Sequence, residues 1–430
     1  MRRKLCFLSI ILLGLQPIQA EFSGVFELEW GLDDNLHTQK FDLTFTPEWS
    51  FELAENTSMT LIARARYSGV DSLGSVTTRP DNYSDVNGAI IYETDGELSI
   101  REWYIDTEAL GAFWRIGKQQ VVWGQADGLK VLDVVNPQSF REFILDDFED
   151  SRIPLWMLNV EIPITDEGSL QVLWIPDNTY DEFAQDNSNY EISSPLFVPQ
   201  LPKGLSLVGL TKNKPSSIIN DSDIGLRYSV LKSGWDLSFN YLYHYIDTPV
   251  LYQNIEDQGV VIDSVYERNQ LIGATASNAF GDFTIRAEIG YNTHSYNLSS
   301  NITQRGIHKS SELSSIIGLD WQGLENTMIS GQWFQSHLFD YDTNVIRPQN
   351  NNVFSLMYRR SFQNDAWDIE VLDLYGLDQD DGLLQFKVNY FLQSNIKLIA
   401  AMEIFHGNEQ GLFGQFHGKD RLTFAIQWGL

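Results

Sequence analysis

The chain has 430 residues, 13% of them aromatic, and a formal net charge of −29. So acidic a chain is not expected to bind the phosphates of nucleic acids, and with Cys6 as its one cysteine it forms neither an internal disulfide nor a thiolate metal site. We therefore expect no metal, no cofactor and no nucleic acid partner.

The first twenty residues have the three parts of a secretory signal peptide. A basic start at 2–4 precedes an apolar stretch at 5–15, and the small residue Ala20 marks the expected cleavage site. The apolar stretch is too short to anchor the chain across a bilayer. Cleavage would remove Cys6 and three positive charges, which takes the net charge to about −32. We predict that residues 21–430 are exported as one domain.

The strongest pattern in the rest of the chain is the alternation of apolar and polar residues. Successive side chains of a strand point to opposite faces, so a barrel wall in lipid needs an apolar residue at every second position. Each alternating run is about ten residues long, the length that a tilted strand needs to cross the hydrocarbon. The clearest runs are 22–32, 41–53, 235–245, 283–292, 313–321 and 384–392.

The connections between these runs alternate between tight turns and long polar segments. Outer-membrane barrels have short periplasmic turns and long external loops, whereas a soluble sandwich has no reason to sort its loops in this way. We predict an all-β fold, a transmembrane antiparallel up-and-down β-barrel of about 18 strands, with 16 as the alternative. The expected location is the outer membrane of a Gram-negative bacterium. The long segments are 69–95, 124–152, 177–221, 247–268, 294–310, 339–351 and 406–419.

Charged residues at the inward alternating positions are candidates for the pore lining. Charges of both signs around a water-filled pore would orient and filter polar solutes. Salt bridges that only fill and rigidify the wall are equally compatible with the pattern. The candidates are Glu29, Asp42, Arg64, Arg66, Asp236, Arg286, Glu288, Arg359, Asp368, Glu370, Lys387, Lys397 and Glu403.

The segment 124–152 breaks the strand rhythm and falls between the fifth and sixth predicted strands, where general porins fold a constricting loop inward. Asn136 and Pro137 indicate a helix start, Ser139 and Glu142 could form a capping box, and aromatic residues follow at helical spacing. We expect a short helix near 137–150. It either enters or caps the lumen, or packs outside on the rim. The constriction candidates are Arg141, Glu142, Asp146, Asp147, Glu149, Asp150 and Arg152.

Residues 115–163 carry a resemblance to a known family. The matching residues are Arg115, Gly117, Lys118, Gln119, Val122, Trp123 and Gly124, followed by Asn136-Pro137, Arg152 and Pro154. This stretch resembles a family of proteobacterial outer-membrane proteins known mainly by a domain-of-unknown-function label, near the alginate-export-type porins. The resemblance implies a monomeric large barrel that carries small or hydrophobic solutes, and it implies no particular substrate.

Aromatic residues mark the predicted ends of the barrel wall. Tryptophan concentrates at membrane interfaces because its ring is apolar while its N–H needs a polar partner. The last ten residues place four apolar side chains on one face, which resembles the C-terminal signature that barrel-assembly machinery selects. Trp114, Trp235, Trp321 and Trp367 lie beside tight turns, and the C-terminal residues are Phe424, Ile426, Trp428 and Leu430.

These patterns favour a porin-like channel for small solutes. The expected partners are outer-membrane lipids and lipopolysaccharide, the barrel-assembly machinery through the C-terminal strand, and a small-molecule solute. A plug-less uptake barrel for siderophores or metal complexes is one alternative, and an outer-membrane lipase or protease is another. The seven histidines are scattered and none lies in a nucleophile motif, so we predict no catalytic residue.

Overall fold

The computed structural model describes residues 20–70, 81–126, 128–257 and 259–430. The predicted signal peptide lies outside these residues except for Ala20, which begins the first strand. Within the described residues, eighteen long strands form one antiparallel sheet. They are β1 (Ala20–Leu32), β2 (Thr38–Ala54), β3 (Thr57–Ser68), β4 (Gly96–Ala109), β5 (Ala112–Gln119), β6 (Leu155–Thr165), β7 (Gly168–Ile175), β8 (Asp223–Lys232), β9 (Trp235–Tyr245), β10 (Arg268–Phe280), β11 (Phe283–Leu298), β12 (Ile307–Leu324), β13 (Thr327–Leu338), β14 (Asn350–Phe362), β15 (Trp367–Gly376), β16 (Asp381–Gln393), β17 (Ile396–Gly407) and β18 (Arg421–Gly429).

The sheet closes into a barrel. Each strand pairs with its chain neighbours, and β1 also pairs with β18, with Leu28 opposite Ile426. Connections of two to four residues at one rim alternate with connections of four to 47 residues at the other. The predicted barrel with 18 strands is thereby confirmed. Closure leaves no open sheet edge, so the backbone amides of the wall are hydrogen-bonded within the sheet.

The outward face of the wall is apolar. Phe239 is 57% and Ile317 59% exposed, whereas Ser238, the inward neighbour of Phe239, is fully buried. Aromatic rings collect at the short-turn rim, where Trp367 stacks on Tyr390 with ring centroids 4.4 Å apart. A soluble protein does not expose so continuous an apolar belt. The belt and its aromatic rim match the surface of a transmembrane barrel.

The inward face is polar on one side of the barrel and apolar on the other. Apolar side chains of β6 to β12 point into the lumen and pack against the connection between β5 and β6. The alternation of apolar and polar residues does not predict this apolar lining, because polar residues are expected at the inward positions of a water-filled lumen. The cluster comprises Val121, Trp123, Val131, Leu132, Val135, Leu155, Met157, Leu173, Ile175, Leu242, Leu271 and Ile316.

Glycines on the inner wall make room for this packing. A Cβ at Gly273 would lie 2.3 Å from Leu132 Cδ2, and one at Gly225 would lie 2.9 Å from Trp123 Cη2. Both distances are too short for carbon atoms in contact. The leucine and tryptophan therefore fit into hollows that only glycine leaves open.

The predicted helix near 137–150 is much shorter than expected. The only α-helical turn there is Phe148–Ser151. Ser139–Phe140 instead forms a two-residue parallel pairing with Glu182–Phe183. The Ser139 hydroxyl donates to the Glu182 carboxylate, whereas a capping box would have it accept from the backbone N–H of Glu142. The capping-box prediction is wrong, because backbone pairing with another loop satisfies the groups that a helix would have satisfied.

Smaller elements lie in the long connections. Ala89–Tyr92 pairs with β4. Leu207–Asn213, Gly259–Val265 and Val250–Glu256 form a separate three-stranded sheet at the long-loop rim. Single 3-10 turns lie at Ile302–Gln304 and Gly414–Phe416. Among the described residues, no helix has the length and apolar character needed to span a membrane.

Candidate functional site

The connection between β5 and β6, residues 120–154, is here called the inner segment, and it folds into the barrel. Its neck is held by Asn136, which is 2% exposed. The Asn136 side chain accepts a hydrogen bond from the Val121 amide at 2.7 Å and donates to the Ile153 carbonyl at 3.0 Å. Asn136 therefore ties both ends of the segment together, and it does not start a helix.

The first half of the inner segment packs on the wall from β7 to β11. Trp123 donates to Gln171 at 2.8 Å. The Gln125 amide donates to Glu288, and the Gln125 carbonyl accepts from Arg286. Arg286 and Glu288 were expected to line the pore, but the segment covers them and they hold it against the wall. This side of the lumen is filled.

The second half crosses to the opposite wall and is held there by ion pairs. Glu142 pairs with Lys40 on β2 at 3.6 Å and with Arg421 on β18. Asp147 pairs with Lys387 on β16 at 3.3 Å. Loss of water alone would raise the pKa of Glu142, but the Lys40 ammonium and the Arg421 guanidinium outweigh it and lower the pKa to about 2. Glu142 is therefore an ionised tether at neutral pH.

Two further connections hold the inner segment from the long-loop side. The Gln138 amide donates to one oxygen of Asp181 at 2.8 Å, and the Thr248 hydroxyl donates to the other at 2.9 Å. Phe140 stacks on Phe183 with ring centroids 5.7 Å apart. The connections 176–222 and 246–267 therefore share a hydrogen-bonded junction with the inner segment.

A charged cavity, here called the chamber, remains between the inner segment and the wall formed by β1 to β4 and β14 to β18. Its volume is about 390 Å³. Most charges on its wall are paired. Arg64 and Arg66 share Glu97 at 3.2 and 3.1 Å, and Arg359 pairs with Glu370. The chamber is thus a water-accessible space with a mixed-charge wall.

A second cavity, here called the vestibule, opens on the long-loop side of the inner segment. Its volume is about 840 Å³, and apolar side chains dominate its lining. They come from the inner segment and from the long connections, which is why no single alternating run reveals them. Its main apolar residues are Val131, Val134, Phe140, Phe143, Phe148, Phe183, Ile192, Leu196, Phe197 and Val198.

The two cavities meet at Gly128, Ile144, Asp146 and Phe148, which line both and are here called the throat. Loss of water raises the pKa of Asp146 to about 6, with Lys40 opposing the shift and neighbouring carboxylates adding to it. Among the described residues, no group of three acidic or histidine side chains is placed to hold a metal ion. The throat thus combines a glycine, two apolar side chains and one carboxyl group.

The remaining predicted residues fall into three sets. Glu29, Asp42, Arg64, Arg66, Arg359, Glu370, Lys387 and Glu403 line the chamber, as do Glu142, Asp146, Asp147, Asp150 and Arg152 of the inner segment. Arg152 is buried and pairs with Asp133 at 2.7 Å, Arg141 approaches Glu182 at 4.0 Å, and the Glu149 carbonyl accepts from Arg101. Asp236, Asp368 and Lys397 face inward near the short turns, beyond the residues that line either cavity.

Several residues at the site were not predicted. Lys40 and Arg421 anchor Glu142, and Arg101 anchors Glu149. The inward positions of β2 and β18 would have revealed the first two, because each alternates with outward apolar residues. Arg101 lies where the pairing of β3 with β4 shifts register, and alternation fails at such a bulge.

A family model described as "Protein of unknown function (DUF1302)" matches residues 71–307, which is more than half of the chain. The chain belongs to the DUF1302 family. The match spans β4 to β11 and includes the whole inner segment. Comparison with curated protein sequences finds no match.

The DUF1302 chain is similar over nearly its whole length to solved outer-membrane porins. OpdK of Pseudomonas aeruginosa, solved with vanillate, has 10% identity and a TM-score of 0.52, covering 96% of this chain and 98% of that one. OccAB3 of Acinetobacter baumannii has 10% identity and a TM-score of 0.54, covering 96% and 99%. A BenF-like porin of Pseudomonas fluorescens Pf-5 has 9% identity and a TM-score of 0.53, covering 96% and 98%. Identity this low establishes a shared fold and nothing finer.

Proposed function

We propose that this DUF1302 protein is a porin-like channel that lets small solutes cross the outer membrane. The observation that carries the proposal is the inner segment, which leaves two cavities in series inside a closed barrel. A loop that only rigidified the wall would fill the lumen without leaving a vestibule and a chamber that share a throat. The fold shared with outer-membrane porins supports the same function.

The proposal includes the surroundings of the barrel. The apolar outward face suits a lipid bilayer, and the acidic long connections suit lipopolysaccharide bridged by divalent cations. The C-terminal strand β18, which closes the barrel against β1, is the proposed recognition element for barrel-assembly machinery. Fractionation of a Gram-negative host tests this, because the protein should remain in the outer membrane and require detergent for extraction.

Removal of the second half of the inner segment tests the channel directly. Deleting residues 138–150 removes Glu142, Ile144, Asp146 and Phe148, and thus most of the throat. We expect single-channel conductance in planar bilayers to rise severalfold, because the narrowest part of the path limits the current. Unchanged conductance would place the segment outside the ion path.

A deletion of equal length at the long-loop rim is the matched control. Residues 252–264 cover most of two strands of the separate three-stranded sheet, and the described residues in this range line neither cavity. This variant should keep the wild-type conductance. If both deletions raised the current equally, disturbance of the barrel would explain the effect and the assignment of the throat would be wrong.

A further inference from the structure

The charges of the vestibule are unbalanced. The two basic residues among its described lining are both engaged, since Lys130 pairs with Asp133 at 3.2 Å and Arg347 with Glu312 at 3.1 Å. Besides Asp381, whose carboxylate accepts from the Phe413 and Gly414 amides, three acidic residues of the same lining form no ion pair among the described residues, namely Asp146, Asp181 and Asp247. The cavity therefore combines an apolar wall with uncompensated acidic groups.

The acidic groups occupy two positions along the path. Asp181 and Asp247 lie at the junction of the long connections, and Asp146 lies at the throat. Loss of water raises the pKa of Asp181 to about 6, and loss of water together with the Asp181 carboxylate raises that of Asp247 well above the ordinary value. Lys40 and Lys130 oppose these shifts at Asp146 and Asp181 without outweighing the loss of water, and none of the three carboxylates forms an ion pair among the described residues.

An unpaired polar group on the same wall provides a second, independent observation. His244 lies on β9, is 8% exposed and lines the vestibule. Its Nε2 atom has no hydrogen-bond partner among the residues that the structure describes. A buried polar atom without a partner is unfavourable, and a ligand that carries N–H groups would supply the missing partner.

From this combination we infer that the vestibule binds amphiphilic organic cations, namely molecules with an aromatic or aliphatic body and an ammonium head. The body contacts Phe140, Phe183 and neighbouring side chains, while the head is drawn to Asp181 and Asp247 and then to Asp146. An organic anion would meet the same carboxylates without an available cation. The inference deepens the proposed channel function and rests on it for the direction of travel.

Three probes separate the contributions of charge and apolar body. 2-Phenylethylammonium has both features, 3-phenylpropionate keeps the ring with the opposite charge, and ethylammonium keeps the charge without the ring. At pH 7.5 in planar bilayers, each is added on the long-loop side while the potassium current is recorded. We expect 2-phenylethylammonium to interrupt the current at a concentration at least tenfold lower than either of the other probes.

Two variants assign the effect to the throat. Asp146→Asn should lower the potency of 2-phenylethylammonium about tenfold and bring it within about threefold of that of 3-phenylpropionate, because the variant removes a charge that attracts only the ammonium head. Asp34→Asn, in the exposed connection between β1 and β2, should leave all three potencies unchanged. Equal potency of 3-phenylpropionate, or an unaltered response of Asp146→Asn, would overturn the inference.

The channel function and the ligand class can fail separately. If the wild-type protein carries no current, the channel proposal fails, and calorimetric titration of the detergent-solubilised protein with the same probes still decides the ligand class. The proposed ligand class would be supported if 2-phenylethylammonium bound more tightly than the other probes and Asp146→Asn weakened its binding. Equal binding of all probes, or none, would refute it even if the channel conducts.

Discussion

At the residue scale, single polar side chains decide how the lumen is divided. Glu142 joins the inner segment to two strands on opposite sides of the barrel seam, through Lys40 on β2 and Arg421 on β18. Not every acidic residue of the segment forms such an ion pair. Glu149, for example, contacts Arg101 through its backbone carbonyl, which accepts a hydrogen bond. Glu142 therefore links the segment to both sides of the seam, alongside the ion pair of Asp147 with Lys387.

The lowered pKa of Glu142 leads to a pH prediction. Because its pKa in the folded protein is about 2, its ionised form stabilises the docked segment above the ordinary value near 4.5 and loses this effect as pH falls from there toward 2. We expect steady current at pH 7 and 5, and larger, noisier current below about pH 3.5. Glu142→Gln should show the noisy current at every pH, whereas Glu149→Gln should match the wild type. A Glu142→Gln channel as quiet as the wild type would contradict the tether.

Gly273 provides a second prediction at this scale. Gly273→Val would overlap Leu132 in its hollow on β10, and overpacking of this kind typically costs about 1–3 kcal/mol. The temperature at which the folded band disappears in electrophoresis should fall, and conductance should change as the segment shifts. Gly331→Val is the control, because its Cβ would find only Phe354 Cζ at 3.9 Å. A similar loss in both variants would show that the strand, not the hollow, is sensitive to valine.

At the element scale, the inner segment is a loop rather than a helix, and its contacts with the barrel wall determine its conformation. Its first half is mostly apolar and fills one side of the lumen. Its second half carries the charged residues that border the chamber and the phenylalanines that border the vestibule. The neck at Asn136 joins the two halves. A segment of this kind has little regular backbone pairing of its own, so its conformation depends on side chains from the wall.

The role of the neck can be tested by removing the side-chain amide of Asn136. Asn136→Ala leaves the Val121 amide and the Ile153 carbonyl without partners, and buried groups of this kind cost about 1–3 kcal/mol each. We expect faster proteolysis after Arg141 and faster amide exchange across the segment, with the barrel strands unaffected. Asn187→Ala, in an exposed part of the connection 176–222, should change neither rate. If Asn136→Ala left proteolysis and amide exchange of the segment unchanged, the hydrogen bonds of Asn136 would not be what holds the segment in place.

At the scale of the whole molecule, the decisive feature is closure of β1 on β18. Leu28 lies opposite Ile426 across this seam, and Trp30 lies opposite Phe424. Every strand then has two neighbours, and the outward apolar belt is continuous. Only a closed barrel can place this belt in lipid without exposing unpaired backbone groups.

Engineered cysteines can test the seam and its register. In a Cys6→Ser background, Leu28→Cys with Ile426→Cys should form a disulfide in the folded protein, which joins residues near the two ends of the chain and alters its mobility after heating. Leu28→Cys with Phe424→Cys should cross-link poorly, because diagonal neighbours are about 7–8 Å apart and lie beyond disulfide reach. Equal cross-linking of both pairs would contradict the register.

Most of the barrel wall could be predicted from the sequence, because each strand residue must suit the lipid or the lumen that its own side chain faces. Outward residues such as Phe239 and Ile317 must be apolar in lipid, whatever the rest of the chain does, and turns must return the chain after each crossing. Strand number, loop order and the position of the inner segment between β5 and β6 follow from that constraint. The likeness to alginate-export-type barrels stays a prediction.

Only the tertiary structure decided the interior. Glu288 and Arg286 satisfy the same inward pattern as Arg64 and Arg66, yet the first two lie under the inner segment and the last two face the chamber. The difference depends on contacts between residues more than 150 positions apart, and periodicity carries no information about such contacts. Alternation predicts whether a side chain points into the lumen or out to the lipid. Whether an inward side chain then meets water or the inner segment depends on packing across the barrel.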